Sequence, residues 1–249
     1  MQVGFIGSGN MAGAIARGWG EPVLCSDSGS GRARALVEEL GGEALSNREV
    51  AERADLLILA HKPAQLEAVA DGIDAAPKLV ASILAVRTQA EIRAAYPGAE
   101  VLRLEPNTPS EVGRGVLAFA APDEPFDEDL HRQVRDRFAR LGTVVEVPER
   151  LMGVAGACMG VAPAYWALFV EAWVDAAVRR GLPVATATEL VTEGMAGTAE
   201  LLRRYDGDTL ALRRAVTSPG GGTARGLAAL EAGGVRATLA TAMDEVASG

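Results

Sequence analysis

The sequence is poor in aromatic residues, which make up 4% of its 249 positions, and it holds only two cysteines. So few rings exclude a broad stacking surface, and abundant alanine and glycine favour close packing of helices and strands instead. Cys25 and Cys158 are spaced for neither a zinc site nor a disulfide framework. Each reads as a packing residue, the first in a strand and the second in an apolar helix. Basic excess is also missing. The formal net charge is −9, the acid is spread along the chain, and no basic face offers itself to nucleic acid. A small anionic cofactor is still allowed, because backbone N–H groups at a helix start bind phosphate regardless of net charge. The opening MQVGFIGSGN lacks the basic start of a signal peptide. The longest apolar run, Val154 to Val170, contains Pro163, is followed by Glu171 and Asp175, and is slightly short for a membrane span. It reads as a buried helix. Together these features predict a cytoplasmic protein with no membrane and no nucleic-acid partner.

What is present falls into two halves. Up to residue 148, apolar runs at Gln2–Ile6, Pro22–Ser26, Asp55–Ala60, Lys78–Ser82, Glu100–Leu104, Val116–Ala120 and Thr143–Val147 alternate with helical segments such as Asn10–Gly18, Gly31–Leu40 and Glu128–Leu141. That alternation predicts a mostly parallel sheet with helices on both faces. From 149 to 249 no strand is convincing. Helical stretches cover 149–158, 162–180, 184–205, 208–215, 221–232 and 234–247, with Gly181-Leu182-Pro183 stopping one and starting the next. The fold class is therefore α/β, with an N-terminal dinucleotide-binding domain (1–148) and an all-α domain (149–249). Segment 162–205 is apolar around much of its circumference. A second copy of the chain, interleaving its helices, is expected to cover it.

The first half carries a dinucleotide fingerprint. Gly7-Ser8-Gly9-Asn10-Met11-Ala12 follows a first strand and opens a helix, the G-x-G-x-x-A form in its required context. Gly7 makes the tight turn, Gly9 lets backbone approach the pyrophosphate, and Ala12 lets helix and strand pack closely. Asp27 ends the second strand, where an acid holds the adenosine ribose hydroxyls and favours NAD(H). Ser26, Ser28, Ser30 and Arg32 around it suit the 2′-phosphate of NADP(H), so both cofactors stay open. His61-Lys62-Pro63 follows another strand end, on the ligand-binding side of such sheets. His61 reads as a rim or structural histidine and Lys62 as a candidate phosphate or ribose contact.

Five segments, GFIGSGNMAGAI (4–15), LILAHKPAQ (57–65), PNTPSEVGRG (106–115), PAYWALFVEAWVDAAVRRGLP (163–183) and VTSPGGGTARGLAALE (216–231), together resemble the pyrroline-5-carboxylate reductase family in order and spacing. The resemblance spans nearly the whole chain. It implies a Rossmann-type domain followed by a helical dimerisation domain, and NAD(P)H-dependent reduction of a cyclic imine to L-proline. It further implies that Ile6, Gly7, Ser8, Gly9, Asn10 and Met11 form the pyrophosphate loop. Ser26, Asp27, Ser28 and Asn47 would meet the adenosine end. Ala60, His61, Lys62 and Pro63 would line the cofactor. Ser82, Ile83 and Leu84 would lie near the nicotinamide, with Asn107 in the loop facing that ring. On the substrate side, Glu149 and Thr223 would stand at the imine as the catalytic pair, and Ser218, Gly220, Gly221 and Gly222 would receive the carboxylate, with Asn107 also touching substrate. The loop would meet a cofactor held by the partner subunit, which makes the active unit a homodimer or an assembly of dimers. No metal is implied.

The chain departs from the family pattern in a few places. Met159-Gly160-Val161-Ala162 stands where two serines are usual, Glu105 stands where the family has methionine before Pro106-Asn107-Thr108-Pro109, His61 replaces an apolar residue, and Gly222 widens the substrate loop. These departures leave open a different cyclic imine on the same scaffold, or a cofactor-binding paralogue without catalysis. A β-hydroxyacid dehydrogenase is disfavoured because helix 162–180 offers no lysine.

Overall fold

The structure, a computed structural model, describes residues 1–124 and 126–247. It divides into two compact units, Met1–Pro163 and Ala164–Gly249. The first unit is built on an eight-stranded sheet. Its elements are β1 (Val3–Ile6), α1 (Asn10–Trp19), β2 (Val23–Ser26), α2 (Arg32–Leu40), β3 (Gly42–Ala44), α3 (Asn47–Arg53), β4 (Leu56–Leu59), α4 (Leu66–Asp71), β5 (Leu79–Ser82), α5 (Gln89–Ala95), β6 (Glu100–Pro106), β7 (Gly115–Ala120), α6 (Glu128–Ala139), β8 (Gly142–Val147) and α7 (Met152–Met159).

The strand order is β3-β2-β1-β4-β5-β6-β7-β8. All neighbours are parallel except β6 and β7, where Glu105 faces Ala118 in an antiparallel pair. The chain winds outward from β1 in one direction and from β4 in the other. The gap above the carboxyl ends of these two strands is the switch point at which doubly wound sheets bind ligands. Seven of the strands coincide with the apolar runs of the sequence. The eighth, β3, was not expected. Its three residues are all exposed, so no hydrophobic alternation marks it, and only its pairing with β2 defines it.

Strand alternation sends side chains to two cores. Phe5, Ile58, Leu102, Leu104, Leu117 and Phe119 pack under α1, α2 and α6. Ile6, Leu57, Leu59, Val80 and Val101 pack under α3, α4 and α5. The scarce aromatics concentrate in the first of these cores. Trp19 lies 6.1 Å from Phe5 and 5.2 Å from Phe138, and Phe138 meets Phe119 at 5.6 Å. Burying such rings contributes several kcal/mol, about 3–5 each by the usual cost of truncation to alanine. Helix α7 covers the β7 end of the sheet, with Met152 and Met159 against Ala118 and Ala120.

The second unit is helical: α8 (Ala162–Val178), α9 (Val184–Arg204), α10 (Thr209–Ala215), α11 (Gly222–Ala232) and α12 (Val235–Ala247). Gly181, with φ +100°, and Pro183 separate α8 from α9. Two expectations are corrected here. The apolar run 154–170 is not buried in the single chain, because Trp166 and Leu168 of α8 are 54% and 61% exposed. Cys158, expected as a packing residue, is exposed, whereas Cys25 is buried. The run is also longer than its apolar core. By length and composition alone the stretch Glu149–Val178, which includes α7 and α8, is apolar enough to cross a membrane.

Candidate active site

The turn after β1 is fixed by three strands at once. Gly7 N–H donates to the Ser26 carbonyl at 3.1 Å, Ser8 Oγ donates to the same carbonyl at 2.9 Å, and Ala60 N–H donates to the Ile6 carbonyl at 2.8 Å. Gly7 has φ +99°, and a Cβ there would stand 2.6 Å from the Ala60 carbonyl carbon. Only glycine fits. Gly9 precedes α1, no side chain caps that helix, and its first turn holds no acid. A Cβ on Gly9 would meet nothing within 4 Å. Open N–H groups, a positive helix end and clear space above the backbone are what a pyrophosphate requires, so these residues fit a dinucleotide.

The loop after β2 binds its own acid. The Asp27 carboxylate accepts from Gly29 N–H at 2.7 Å, Ser30 Oγ at 3.0 Å and Ala33 N–H at 2.9 Å. The bond from Ala33 N–H, with those from Gly29 and Ser30 against the cost of burial, holds this carboxyl below its ordinary pKa. Ser26 Oγ donates to Asn47 Oδ1 at 2.6 Å, which joins β2 to the start of α3. Ser28 and Arg32 are exposed on the same turn.

Beyond β4, Ala60 leads into His61-Lys62-Pro63. His61 Nδ1 donates to the Lys62 carbonyl at 3.0 Å, and burial pushes the imidazole below its ordinary pKa. Arg87 Nε donates to the Pro63 carbonyl at 2.9 Å and braces the loop from beneath. At the end of β5, Ser82 is fully buried, its Oγ accepts from Leu84 N–H at 3.2 Å, and Ile83 N–H donates to the Leu59 carbonyl at 3.1 Å. Val86 follows with φ +60°, a left-handed conformation that is costly for a β-branched residue.

At the end of β6, Asn107 is buried and spans two elements. Its Nδ2 donates to the Met159 carbonyl at 3.1 Å, and its Oδ1 accepts from Val116 N–H at 2.8 Å. Glu149 is also committed. Its Oε1 accepts from Gln89 N–H at 2.7 Å, at the start of α5, and from Arg103 Nη1 at 3.3 Å. Burial pushes the Glu105 carboxyl up, while Arg103 pulls it down less strongly. Arg103, Gln89 and Gly156 are residues that the motifs do not single out. The one signal in the sequence is an arginine and a glutamate interrupting an apolar strand, in VLRLEP.

Ser218 to Thr223 lie in the helical unit. Gly221 N–H donates to the Ser218 carbonyl at 3.0 Å, and Arg225 Nη1 donates to the Gly220 carbonyl at 2.6 Å. Gly220 has φ +69°, and a Cβ on Gly221 would overlap Ser218 Oγ. Gly221 precedes α11 without a side-chain cap, and Thr223 sits in that helix's first turn. The structure thus joins the ends of β1, β2, β4, β5 and β6 into one rim, and it builds the Ser218–Thr223 loop separately, within the second unit.

Residues 149–248 match the family model described as pyrroline-5-carboxylate reductase dimerisation, and residues 2–86 match that of NADP oxidoreductase coenzyme F420-dependent. The chain is 36% identical to a pyrroline-5-carboxylate reductase of Synechocystis sp., over 98% of this chain and 94% of that protein. It is 31% identical to pyrroline-5-carboxylate reductase 3 of Mus musculus, over 98% and 92%. Among solved structures, the 1-pyrroline-5-carboxylate reductase of Streptococcus pyogenes is similar with a TM-score of 0.90 at 28% identity, covering 100% of this chain and 97% of that one. The Plasmodium falciparum pyrroline carboxylate reductase with NADP bound is similar with a TM-score of 0.88 at 27% identity, covering 100% and 96%. The full-length identity, together with a dinucleotide turn at the switch point and a glycine loop opening α11, shows that the chain belongs to the pyrroline-5-carboxylate reductase family.

Proposed function

We propose that the protein reduces the C=N bond of pyrroline-5-carboxylate to give L-proline, in proline biosynthesis in the cytoplasm, as a homodimer or an assembly of dimers. The observation that carries this reading is the pairing, in one chain and in the family's order, of the Gly7 turn with the Ser218–Thr223 loop. The functional boundary is drawn at 148/149, supported by the end of β8 at Val147 and the start of the dimerisation match at 149.

A nicotinamide cofactor held by these residues would supply the hydride for the imine carbon, and water would supply the proton for the ring nitrogen. The chain's own residues bind and orient. Ile6 to Met11 hold the pyrophosphate, Ser26, Asp27, Ser28 and Asn47 the adenosine end, Ala60 to Pro63 the middle, and Ser82 to Leu84 with Asn107 the nicotinamide end. NADPH is the preferred reductant in this reading. Both Asp27 oxygens are already engaged in their own turn, so a ribose diol would have to displace those bonds, whereas Ser28 and Arg32 stand exposed beside it for a phosphate.

The uncapped backbone N–H groups at the start of α11, those of Gly222 and Thr223, suit the substrate carboxylate, and the Thr223 hydroxyl orients the ring nitrogen. Glu149, expected as a second catalytic group, fits better as a positioning residue, because its Oε1 already caps α5 and meets Arg103. A second copy of the chain, rather than lipid, is assigned to the exposed face of α8, supported by Glu171 and Asp175 within the helix and by the dimerisation match.

The test is oxidation of NADPH and of NADH with pyrroline-5-carboxylate and with its six-membered analogue. Preference for the five-membered imine supports the reading, and preference for the six-membered one replaces the substrate. Thr223→Ala should lower kcat/KM by about 100-fold, as loss of one oriented polar group does, with NADPH affinity unchanged. Wild-type kinetics in that variant would remove Thr223 from the site.

A further inference from the structure

One face of β6 carries two charged residues in an otherwise apolar strand interior, Arg103 and Glu105. Glu105 stands opposite Ala118, and Ala118 packs against Met152 and Met159 of α7. A carboxylate there is costly unless it is paired. Its partner is Arg103, two residues earlier on the same face of β6, with Nη2 3.5 Å from Glu105 Oε1. Arg103 is itself buried, and its other nitrogen, Nη1, meets Glu149 at 3.3 Å. One guanidinium thus faces two carboxylates. Its Nε has no partner among the described residues.

The second observation is on α7. A Cβ at Gly156 would overlap Glu105 Oε2. No turn or left-handed φ demands glycine at 156, which lies inside the helix, where glycine costs about 1 kcal/mol relative to alanine. The three nearest atoms a methyl group would meet there, apart from the helix's own backbone, all belong to the Glu105 carboxyl group. One turn further along α7, the Met159 carbonyl accepts from Asn107, two residues after Glu105. Glu105 and Asn107 therefore grip one helix at two successive turns.

We propose that Glu105 is a positioning residue, whose carboxylate, held by Arg103 and admitted by Gly156, fixes the register of α7 on β6 and so sets where Asn107 and Glu149 stand in the active site. A buried ion chain contributes little net stability, and its best-attested use is to fix register. The inference rests on the reductase reading for its kinetic consequence but not for its geometry.

The test is a thermal cycle of Gly156→Ala, Glu105→Ala and the double variant, combined with steady-state kinetics of each and of Glu105→Gln. Gly156→Ala should lower Tm, and Glu105→Ala should remove most of that loss in the double variant, since contacting residues are not additive. Glu105→Ala should lower kcat by about 10-fold or more, because a small misplacement of reacting groups is costly, while KM for NADPH stays within about twofold. Glu105→Gln, which keeps shape and one hydrogen-bonding oxygen, should recover part of kcat. Additive Tm changes, or a kcat in Glu105→Ala within about twofold of wild type, would overturn the proposal. The Tm cycle needs no turnover, so it still judges the Glu105–Gly156 pair if the wild-type protein proves inactive on pyrroline-5-carboxylate.

Discussion

The two units of this chain treat their apolar residues in opposite ways. In the first, Phe5, Leu57, Ile58, Leu59, Phe119 and Phe138 have no accessible surface. In the second, among the described residues from 164 onward, only Val174 and Ala187 are buried hydrophobics, while Trp166, Leu168, Phe169, Trp173, Val184 and Leu190 are exposed. A sheet with helices on both sides closes its own core within one chain. Helices that leave this many large apolar side chains exposed do not do so, and call for a second surface. The difference teaches that the N-terminal unit closes its own core, and that the C-terminal unit leaves an apolar face open, in keeping with its match to a dimerisation model.

The strongest way to break this contrast is to charge the exposed face. Trp166→Glu combined with Trp173→Glu should give a monomer by light scattering and abolish imine reduction, while NADPH binding persists. An active monomer would show that one chain carries the whole site. The converse experiment attacks the self-contained core. Phe138→Ala should cost about 3–5 kcal/mol in denaturant unfolding, a value typical of a fully buried ring. Gly7→Ala sits between fold and function. With φ +99° and a Cβ 2.6 Å from the Ala60 carbonyl carbon, it should cost about 1–3 kcal/mol and weaken NADPH binding in a fluorescence titration, with the oligomeric state unchanged.

Two smaller effects sharpen the picture of the site rim. Val86→Gly should raise stability by about 1 kcal/mol, by relieving a left-handed backbone at a β-branched residue. A lower Tm in that variant would mean that the side chain is held by a contact made in the assembly. Asp27→Ala should remove the cap of its turn and cost about 1 kcal/mol at neutral pH. The folded pKa of Asp27 is lowered, so its contribution is fully present above the unfolded value of 3.8 and fades as pH falls through the folded one. Wild type and variant should therefore converge in stability in acid. A difference that persists at the lowest pH would point to lost packing instead.

Much of the candidate site's local backbone was legible because its signals are local. A glycine turn after a strand, an acid at the next strand end and a glycine loop before a helix are each short-range signals, and Gly7, Asp27 and Gly221 stand where those signals put them. The helix boundaries of the second half were legible for the same reason, since Gly181 and Pro183 act on their immediate neighbours. Strand β3 was not, because an exposed three-residue edge carries no pattern. Glu105, Arg103 and Gly156 were not readable as a unit either. Gly156 is far along the sequence from Arg103 and Glu105, and each alone looks like an irregularity in an apolar segment. Glu149 shows a further limit. A resemblance can point to a residue without revealing that its carboxylate is engaged by Gln89 and Arg103.

By itself the sequence determined the two-part architecture, the dinucleotide turn and the loop at 218–223, because periodicity, glycine and proline act through nearest neighbours along the chain. The tertiary structure decided the rest. It alone showed that Asp27 is engaged by its own turn, that α8 leaves its tryptophans uncovered, and that the Glu105 carboxylate occupies the space beside Gly156. Each of these depends on which distant groups share a space, and burial and charge pairing are settled only there.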